Sequence, residues 1–584
     1  MIAVTYFHAS KDHNEAVKLN APFIRVLIFL WSIAGLAWTS AFSQTPQTII
    51  RAGCPATSQS ELCSMVGPGR LDGLRWPDFS DIRDEVRDFY LPSNYSKAWT
   101  IENKLTPQAQ AIVRVLQSVE VKGLHSEDYD GPLWNDRVAR IASSGSKPSL
   151  AELDRFDLAL TVSVLRYVSA LHRGRVDPRR LRVDLNIDHN RYKLGEFVRA
   201  NLVKAPDVNA VFEQVECAYA GYRRTLVALK HYMDLAQQGE GEPLPAITKA
   251  IKPGGAYPGL NALVTRLQRL GDLSPADWHA SGSTVYEGAV VEAIKNFQDR
   301  HGLTPNGIID QVTYQNLVTP FSRRIVQLQL ALERWRWLPR NLPGRMIAVN
   351  VPEFELRAYD DYHVAIDMRV IVGKAFSERR TPLFQDQMEY LIFRPYWNVP
   401  IRITRNEIIP DLRKKPGYMA KHAFEIVTRQ DQVVNADISD SSVIARLRSG
   451  DLEIRQRPGG GNSLGLIKFV FPNDYDVYMH GTPEHALFSR ADRAMSHGCV
   501  RVEDPAKLAA WVLQGNPEWT NEKIEAAMNA TQSQRVNLPK SIPVLILYAT
   551  AAVDESGEVG FFADIYGQDA KLEQELAKGY PYPL

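Results

Sequence analysis

One cysteine and two histidines lie close together in the C-terminal part of this 584-residue chain. Cys499 follows Ser496, His497 and Gly498, and fifteen residues separate His480 from Ser496. A cysteine attacks as its thiolate, so a nearby imidazole that takes the proton would make Cys499 a nucleophile. Gly498 permits a tight turn whose amides can point at a developing oxyanion. The pattern indicates nucleophilic catalysis, and its alternative is a buried cysteine with incidental histidines.

The order of these residues resembles the signature of the L,D-transpeptidases, in which a histidine precedes Ser/Thr-His-Gly-Cys by roughly fifteen residues. Other blocks are similar to the large Gram-negative branch of that family, and they lie at residues 394–400, 455–459, 462–465, 468–469 and 471–473. Because the motif has this context, we interpret Cys499 as catalytic rather than as a core residue.

The resemblance implies a role for each residue around the cysteine. Cys499 is the nucleophile, and His480 is the base that makes it thiolate and later protonates the leaving amine. A backbone carbonyl near Gly481 or a hydroxyl orients the imidazole, and Thr482 is one choice, with a turn cap as its alternative. The amides of Gly498 and Cys499 are the expected oxyanion donors. Further turn residues are Ser496 and His497, and a purely structural role is the alternative for His497.

A second group of residues is expected to bind substrate. Arg501 would orient the turn or attract a substrate carboxylate, a bidentate task suited to guanidinium, and a surface salt bridge is its alternative. The expected walls of the substrate cleft are Tyr478, Trp397 and Asn398, with core packing as the alternative for Trp397. No cofactor or metal ion is expected.

The reaction implied by the resemblance is acyl transfer through a thioester. The donor is a peptidoglycan tetrapeptide stem, cut before its terminal D-alanine, and the acceptor is the amine on the third residue of a neighbouring stem. The product is a 3→3 cross-link. Water as acceptor would make the protein an L,D-carboxypeptidase, and a protein side chain would make it a lipoprotein-anchoring enzyme. A carbapenem is expected to form a covalent adduct on Cys499.

Three rival interpretations remain. A cysteine peptidase acting on wall peptides would share the Cys–His pair, although there the histidine usually follows the cysteine. A zinc hydrolase could use His480, His485, His497 and Cys499, but the H-E-x-x-H spacing is missing and His497-Gly498-Cys499 puts ligands awkwardly close. A wall-binding protein without activity would have no need for the intact motif.

Composition and the N-terminus indicate the compartment. Lys and Arg number 68 against 67 Asp and Glu, so no basic field suggests a nucleic-acid partner. Residues 26–38 are mostly apolar and follow Lys18 and Arg25, which predicts a signal peptide over residues 1–43. An uncleaved membrane anchor is the alternative. Either way we expect a periplasmic protein that touches the membrane only if this segment is retained.

The other cysteines carry a weaker signal. Cys54 and Cys63 lie in a stretch rich in Pro, Gly and Ser and could form a disulfide in an oxidising compartment. Two free thiols are the alternative. Cys217 lies in a helical pattern and is expected to be a core residue.

Hydrophobic periodicity divides the chain into helical and β-rich parts. We expect a multidomain α plus mainly-β protein with a helical scaffold, a three-helix module resembling peptidoglycan-binding modules, and a β-sandwich-like catalytic domain. The predicted divisions are a linker at 44–80, the scaffold at 81–250, the module at 251–320, a linking helix at 321–345, the catalytic domain at 346–550 with an inserted lid at 401–454, and a C-terminal extension at 551–584 packed on the catalytic domain.

Overall fold

The computed structural model describes residues 61–142, 148–185, 193–278, 282–375 and 379–582, apart from the side chain of Arg413. The predicted signal peptide and Cys54 lie outside this range, whereas Cys63 lies inside it and is disulfide-bonded. Among the described residues, no helix is long and apolar enough to cross a membrane.

The first part of the chain is helical with three short strands. In chain order its elements are α1 Leu62–Val66, α2 Arg83–Tyr90, β1 Thr100–Ile101, β2 Lys104–Leu105, α3 Pro107–Leu116, α4 Trp134–Ala142, α5 Leu150–Arg173, β3 Val183–Asp184, α6 Leu194–Asn201, α7 Val208–Val215 and α8 Ala220–Gln237. A capping box of Ser149 and Glu152 begins α5, and Gly174 ends it. Helix α5 is buried along most of its length and forms the centre of this part.

Residues 61–80 correct one prediction, because they are not a linker. Leu62 and Phe79 are fully buried in the same core as α5. The Pro, Gly and Ser content of this stretch suggested irregular chain, but its apolar residues are buried on α5 and α2. The stretch therefore packs with the helical part of the chain.

The three-helix module has its own core. Its helices are α9 Leu260–Leu270, α10 Ala289–Arg300 and α11 Gln311–Val318. The side chain of Gln298 holds the turn between α10 and α11, since it donates to the carbonyl of Ile308 at 2.8 Å and accepts from the amide of Gly307 at 2.9 Å. The expected three-helix pattern is confirmed.

Helix α12, Phe321–Trp335, ties the helical and β-rich parts together. Its Glu333 is fully buried, accepts the backbone amides of Arg175 and Val176, and forms ion pairs with Arg175 and Arg336 at 3.6 and 3.7 Å. Buried charges are tolerated only when they are paired and hydrogen-bonded. Glu333 therefore fixes α12 against the end of α5.

The β-rich domain begins with β4 Met346–Asn350, β5 Glu355–Asp360, β6 His363–Gly373, β7 Leu383–Phe393 and β8 Trp397–Asn398. After an insertion it continues with β12 Ile467–Val470, β13 Met479–His480, β14 Ala494–Ser496, β15 Val500–Val502, α17 Pro505–Val512, α18 Asn521–Asn529 and β16 Gln534–Leu547. The strand order is β12-β13-β15-β6-β5-β4-β16-β7-β3, and β12 also pairs with β7, which closes the sheet on itself. The predicted fold class, helical at the start and β-rich at the end, is confirmed.

The insertion between β8 and β12, which is the predicted lid, has a separate core. It contains α13 Ile401–Ile403, a π-helical turn Thr404–Ile408, α14 Ile409–Lys414, α15 Tyr418–Lys421, β9 Phe424–Val427, β10 Val433–Val434, α16 Ser441–Ser449 and β11 Glu453–Gln456. Strands β8 to β11 make a four-stranded sheet in the order β10-β9-β11-β8. The lid packs around its own apolar cluster, so it is a small unit rather than a loop.

The C-terminal residues contain β17 Ala551–Val553, β18 Val559–Phe561 and α19 Gln568–Leu576. We expected this extension to pack on the catalytic domain, and Tyr566 does so by donating to the carbonyl of Gly373. The hairpin, however, packs in a cluster with α8 and α12, and Arg300 of the module donates to the carbonyl of Val559. The extension thus joins all three parts of the chain.

Replacing Glu333 by Ala should destabilise the whole protein by about 3–5 kcal/mol, because it leaves Arg175 and Arg336 buried without their shared carboxylate. Thermal and urea unfolding of the full chain measure this loss. Glu213→Ala, which removes an exposed helical glutamate, is the matched control and should change stability little. An equal, small effect of both substitutions would show that α12 is not held by this carboxylate.

Candidate active site

Strand pairing places the predicted catalytic residues on one face of the closed sheet. His480 of β13 lies opposite Lys468 of β12 on one side and opposite Arg501 of β15 on the other. Side chains alternate along a strand, so Tyr478 and Cys499 share this face with them. The neighbours of opposite orientation are fully buried in the core, and they are Phe469, Met479 and Val500.

The imidazole of His480 is held in one tautomer. It is buried, and its Nδ1 donates to the carbonyl of Gly481 at 2.5 Å, so Nε2 carries the free lone pair. Burial, together with the positive charge of Arg501, lowers the pKa of His480 to about 3. The imidazole is therefore neutral at physiological pH and is able to accept a proton. The orienting group is the Gly481 carbonyl, one of the two choices that the sequence left open.

The thiol of Cys499 is partly exposed and lies 3.8 Å from the carbonyl oxygen of Asp476. Burial raises its pKa, and hydrogen bonds from Tyr478 and the charge of Lys468 oppose that rise. Within the described part of the chain, no hydrogen bond joins this thiol to His480. Both groups are neutral in this arrangement, so the proton would move to His480 as the sulfur attacks and would not be transferred beforehand.

The turn before Cys499 is built around the hydroxyl of Ser496. This hydroxyl donates to the Cys499 carbonyl at 2.6 Å and accepts the amide of Gly498 at 3.1 Å. Thr381 donates to the Gly498 carbonyl at 2.8 Å. Gly498 has φ of +127°, a conformation that a side chain would oppose. The turn roles of Ser496 and Gly498 agree with this geometry, but the Gly498 amide is bound by Ser496 and is not a free oxyanion donor.

His497 faces the lid and not the thiol. Its Nε2 lies 2.8 Å from Oε1 of Glu407 in the π-helical turn, and Arg379 donates to the same carboxylate oxygen at 2.9 Å. These contacts connect His497, which directly precedes Gly498 and Cys499, to the lid. His497 therefore belongs to the lid interface rather than to the oxyanion turn.

The contacts of Arg501 and Thr482 fit their alternative roles, which are a salt bridge for Arg501 and a turn cap for Thr482. Arg501 forms an ion pair with Glu484 at 2.5 Å. The hydroxyl of Thr482 accepts the amide of Glu484 at 3.2 Å, which is a turn cap. Arg501 still acts on the site, because its charge helps to lower the pKa of His480.

The predicted wall residues of the substrate cleft come from the closed β-sheet, which is a barrel, and from the edge of the lid. Burial raises the pKa of Tyr478 well above its usual value, and a hydrogen bond from Trp397 opposes that rise, so the phenol stays protonated. Trp397 and Asn398 form β8, which pairs with β11 at the edge of the lid sheet. Trp397 is also packed against the apolar cluster of the lid, so its predicted alternative, core packing, accounts for part of its contacts.

Lys468 is a site residue that the sequence analysis did not single out. Its ammonium lies 3.7 Å from the ring centroid of Tyr478, and its charge acts on the Cys499 thiol. Burial lowers the pKa of Lys468. Lys468 could have been assigned to the same face as His480 from the sequence only if the register between β12 and β13 had been known.

Over the described residues, no group of three His, Cys, Asp or Glu could hold a metal ion.

Comparisons with known families agree with this division of the chain. Residues 344–520 match the YkuD family, described as an L,D-transpeptidase catalytic domain, residues 84–229 match a scaffold domain, and residues 257–317 match a "Putative peptidoglycan binding domain". The β-rich part thus matches the model of an L,D-transpeptidase catalytic domain. Along the chain the matches are, in order, to the scaffold domain, the peptidoglycan-binding domain and the YkuD catalytic domain.

Individual relatives cover only part of the chain. A protein of Haemophilus influenzae named "Putative L,D-transpeptidase" is 32% identical over 260 residues, which are 44% of this chain, and the chain spans about half (51%) of that relative. Crystal structures of an L,D-transpeptidase from Xylanimonas cellulosilytica and of a fused Zn-dependent amidase/peptidase/peptidoglycan-binding protein from Clostridium acetobutylicum are 15% and 11% identical. The two matches cover 52% and 51% of this chain, and 100% and 99% of the solved chains. Their TM-scores are 0.17 and 0.14, which are too low to support a structural conclusion about this protein.

Replacing Lys468 by Met should raise the pKa of the Cys499 thiol further, because a nearby positive charge stabilises the thiolate. In a Cys217→Ala background, the pH midpoint of iodoacetamide alkylation should move upward by about one unit, with Lys468→Arg close to the parent. An unchanged midpoint in Lys468→Met would reduce Lys468 to a packing partner of Tyr478.

Replacing Glu407 by Gln should loosen the lid, because it removes the ion pair with Arg379 and weakens the hydrogen bond with His497. Each such exposed pair contributes about 0.2–1 kcal/mol, so we expect a several-fold rise in hydrogen exchange over residues 404–414. Asp451→Asn, which breaks an ion pair with Arg429 inside the lid, is the control. The same exchange pattern in both variants would argue that Glu407 does not hold the lid.

Proposed function

We propose that this protein is a peptidoglycan L,D-transpeptidase that forms 3→3 cross-links through an acyl-enzyme on Cys499. The observation that carries the proposal is the common face of β13 and β15, where a partly exposed thiol and a neutral buried imidazole are set on neighbouring strands. The YkuD match of residues 344–520 supports the reaction class. The peptidoglycan-binding match of residues 257–317 supports the substrate class and a periplasmic location.

The first half-reaction removes D-alanine from the donor. The sulfur of Cys499 attacks the carbonyl carbon of the third stem residue while Nε2 of His480 takes the thiol proton. The negative oxygen that forms is stabilised by the phenol of Tyr478, which stays protonated beside the sulfur. The bond to D-alanine then breaks, His480 returns the proton to the leaving amine, and a thioester remains.

The second half-reaction transfers the acyl group to an amine. The amine on the third residue of a neighbouring stem attacks the thioester carbonyl and gives its proton to His480. The C–S bond breaks, and the thiolate of Cys499 takes that proton from the imidazolium and becomes a thiol again. Because the lid is attached to the catalytic turn through Glu407 and His497, it is in position to exclude water, which would otherwise hydrolyse the thioester.

Cys499→Ala should abolish both D-alanine release and the cross-linked dimer when purified disaccharide-tetrapeptide is supplied, while the protein stays folded. Mass spectrometry of the products and circular dichroism measure the two properties. Cys217→Ala, which alters the other free cysteine of the described chain, is the control and should keep activity. Retained 3→3 dimer in the Cys499→Ala protein would rule out the mechanism, and tripeptide without dimer from the parent would identify a carboxypeptidase.

The same parent protein should form a covalent adduct with a carbapenem, since the strained lactam carbonyl would be attacked by the same thiol. Intact-mass measurement should show the adduct in the parent and in Cys217→Ala but not in Cys499→Ala. Peptide mapping that placed the adduct outside residues 478–499 would contradict the assignment.

A further inference from the structure

The hydrogen-bond ladder between β6 and β15 stops just before it reaches Cys499. The two strands are antiparallel, and the amide of Glu503 donates to the carbonyl of Arg369 at 3.1 Å. In an antiparallel ladder such bonds recur at every second pair, so the same register sets Cys499 opposite Gly373 as a pair that would exchange N–H···O bonds. Among the hydrogen bonds of the described residues, however, none is donated by the Cys499 amide. That amide is therefore free beside the nucleophilic sulfur.

Two buried hydroxyls bind the backbone groups of Gly373 instead. The Tyr566 hydroxyl donates to the Gly373 carbonyl at 2.5 Å, and the Gly373 amide donates to the Thr381 hydroxyl at 2.9 Å. Tyr566 and Thr381 are 2% and 1% exposed, so water does not compete for either bond. Because both polar backbone groups of Gly373 already have partners, the pairing of β6 with β15 is interrupted at the residue opposite Cys499.

The two hydroxyls form one directional chain of hydrogen bonds that ends at the catalytic turn. The Thr381 amide donates to the Tyr566 hydroxyl at 3.2 Å. Because the Thr381 hydroxyl accepts the Gly373 amide, its single proton goes to the Gly498 carbonyl, at 2.8 Å. Each hydroxyl thus donates one bond and accepts one bond. The chain fixes the position of the residue that directly precedes Cys499.

Tyr566 is itself held in place by the C-terminal extension. Its amide donates to the Tyr548 hydroxyl at 2.9 Å, and that hydroxyl donates to Asp564 at 2.6 Å. In the helix that follows, α19, Asp569 forms a buried ion pair with Arg334 of α12 at 2.6 Å. The family match to the catalytic domain ends at residue 520, so Tyr566 reaches the catalytic turn from outside the matched segment.

We propose that Tyr566 and Thr381 are positioning residues for acyl transfer at Cys499. By binding the backbone of Gly373, they keep the Cys499 amide out of the sheet and available to the negative oxygen that forms on the attacked carbonyl. The Cys499 amide then stabilises that oxygen together with the phenol of Tyr478. Neither positioning residue touches the substrate. This role rests on the proposed function, since the oxyanion forms only when the sulfur attacks a carbonyl.

Tyr566→Phe tests this role, because it keeps the buried ring and removes only the hydroxyl. In a Cys217→Ala background, acylation of Cys499 by a carbapenem should slow by about tenfold or more, since the Gly373 carbonyl becomes free to bind the Cys499 amide. Alkylation of the same thiol by iodoacetamide forms no oxyanion and should keep the rate of the parent. Time courses of intact mass measure both rates. Equal slowing of the two reactions, or unchanged acylation, would overturn the proposal.

Tyr286→Phe is the matched control in the three-helix module. Tyr286 is fully buried, and its hydroxyl also donates to a glycine carbonyl, that of Gly307, at 2.7 Å. Each of the two variants loses one buried hydrogen bond, so similar falls in Tm are expected. Acylation by the carbapenem should slow only in Tyr566→Phe. Slowed acylation in both variants would mean that lost stability limits the reaction, and the proposal would fail.

Substitutions of Thr381 give a second test of the same chain of hydrogen bonds. Thr381→Val removes the hydroxyl at nearly unchanged size and should also slow acylation by the carbapenem, whereas Thr381→Ser keeps the hydroxyl and should recover most of the lost rate. Because both positioning residues act on one amide, the double variant Tyr566→Phe with Thr381→Val should lose less than the product of the two single effects. A fully multiplicative loss, or no recovery in Thr381→Ser, would contradict the proposal.

Hydrogen exchange of the full chain separates this proposal from the proposed function. With single-amide resolution, the Cys499 amide should exchange faster in the parent than in Tyr566→Phe, whether or not the protein forms cross-links. Equal protection of that amide in the two proteins would overturn the positioning role. Failure of the proposed function would instead appear as a parent protein that yields neither a carbapenem adduct nor a cross-linked product.

Discussion

The parallel pairing of β13 with β15 is the constraint on which the candidate active site depends. It sets His480 beside Arg501 and brings Cys499 to the same face, while Met479 and Val500 are directed into the core. A shift of one residue in this pairing would turn the imidazole to the interior and expose the apolar side chains. Because the buried residues oppose such a shift, the core of the barrel also fixes the register of the site.

The helical parts contribute rigidity rather than chemistry. Glu333 fixes α12 to the end of α5, and α12 in turn packs on α8 and on the C-terminal hairpin. The lid differs, since it has its own apolar cluster and meets the catalytic turn through the exposed contacts of Glu407. Strong buried contacts thus hold α12 to its neighbours, and weak exposed contacts hold the predicted lid to the turn before Cys499.

Local pattern was sufficient for part of the fold and site. The spacing of His480 from the Ser-His-Gly-Cys motif predicted the two residues that the sheet brings to one face, and hydrophobic periodicity predicted the helical module. Lys468 required the register between β12 and β13, which depends on long-range pairing. The burial of residues 61–80 on α5, and the use of the Gly498 amide by Ser496, likewise depend on tertiary contacts that no local pattern encodes.

The electrostatics of Cys499 and His480 disfavour a thiolate in the resting site. Burial lowers the pKa of His480 to about 3 and raises that of Cys499, so a thiolate–imidazolium pair would put two charges where both are disfavoured. Lys468 and Tyr478 favour the thiolate but do not outweigh burial. The attack therefore depends on a substrate carbonyl that accepts the electron pair as the proton leaves. An enzyme built in this way would gain most of its reactivity when a carbonyl group is held beside the sulfur, whether that carbonyl belongs to a stem peptide or to a strained lactam.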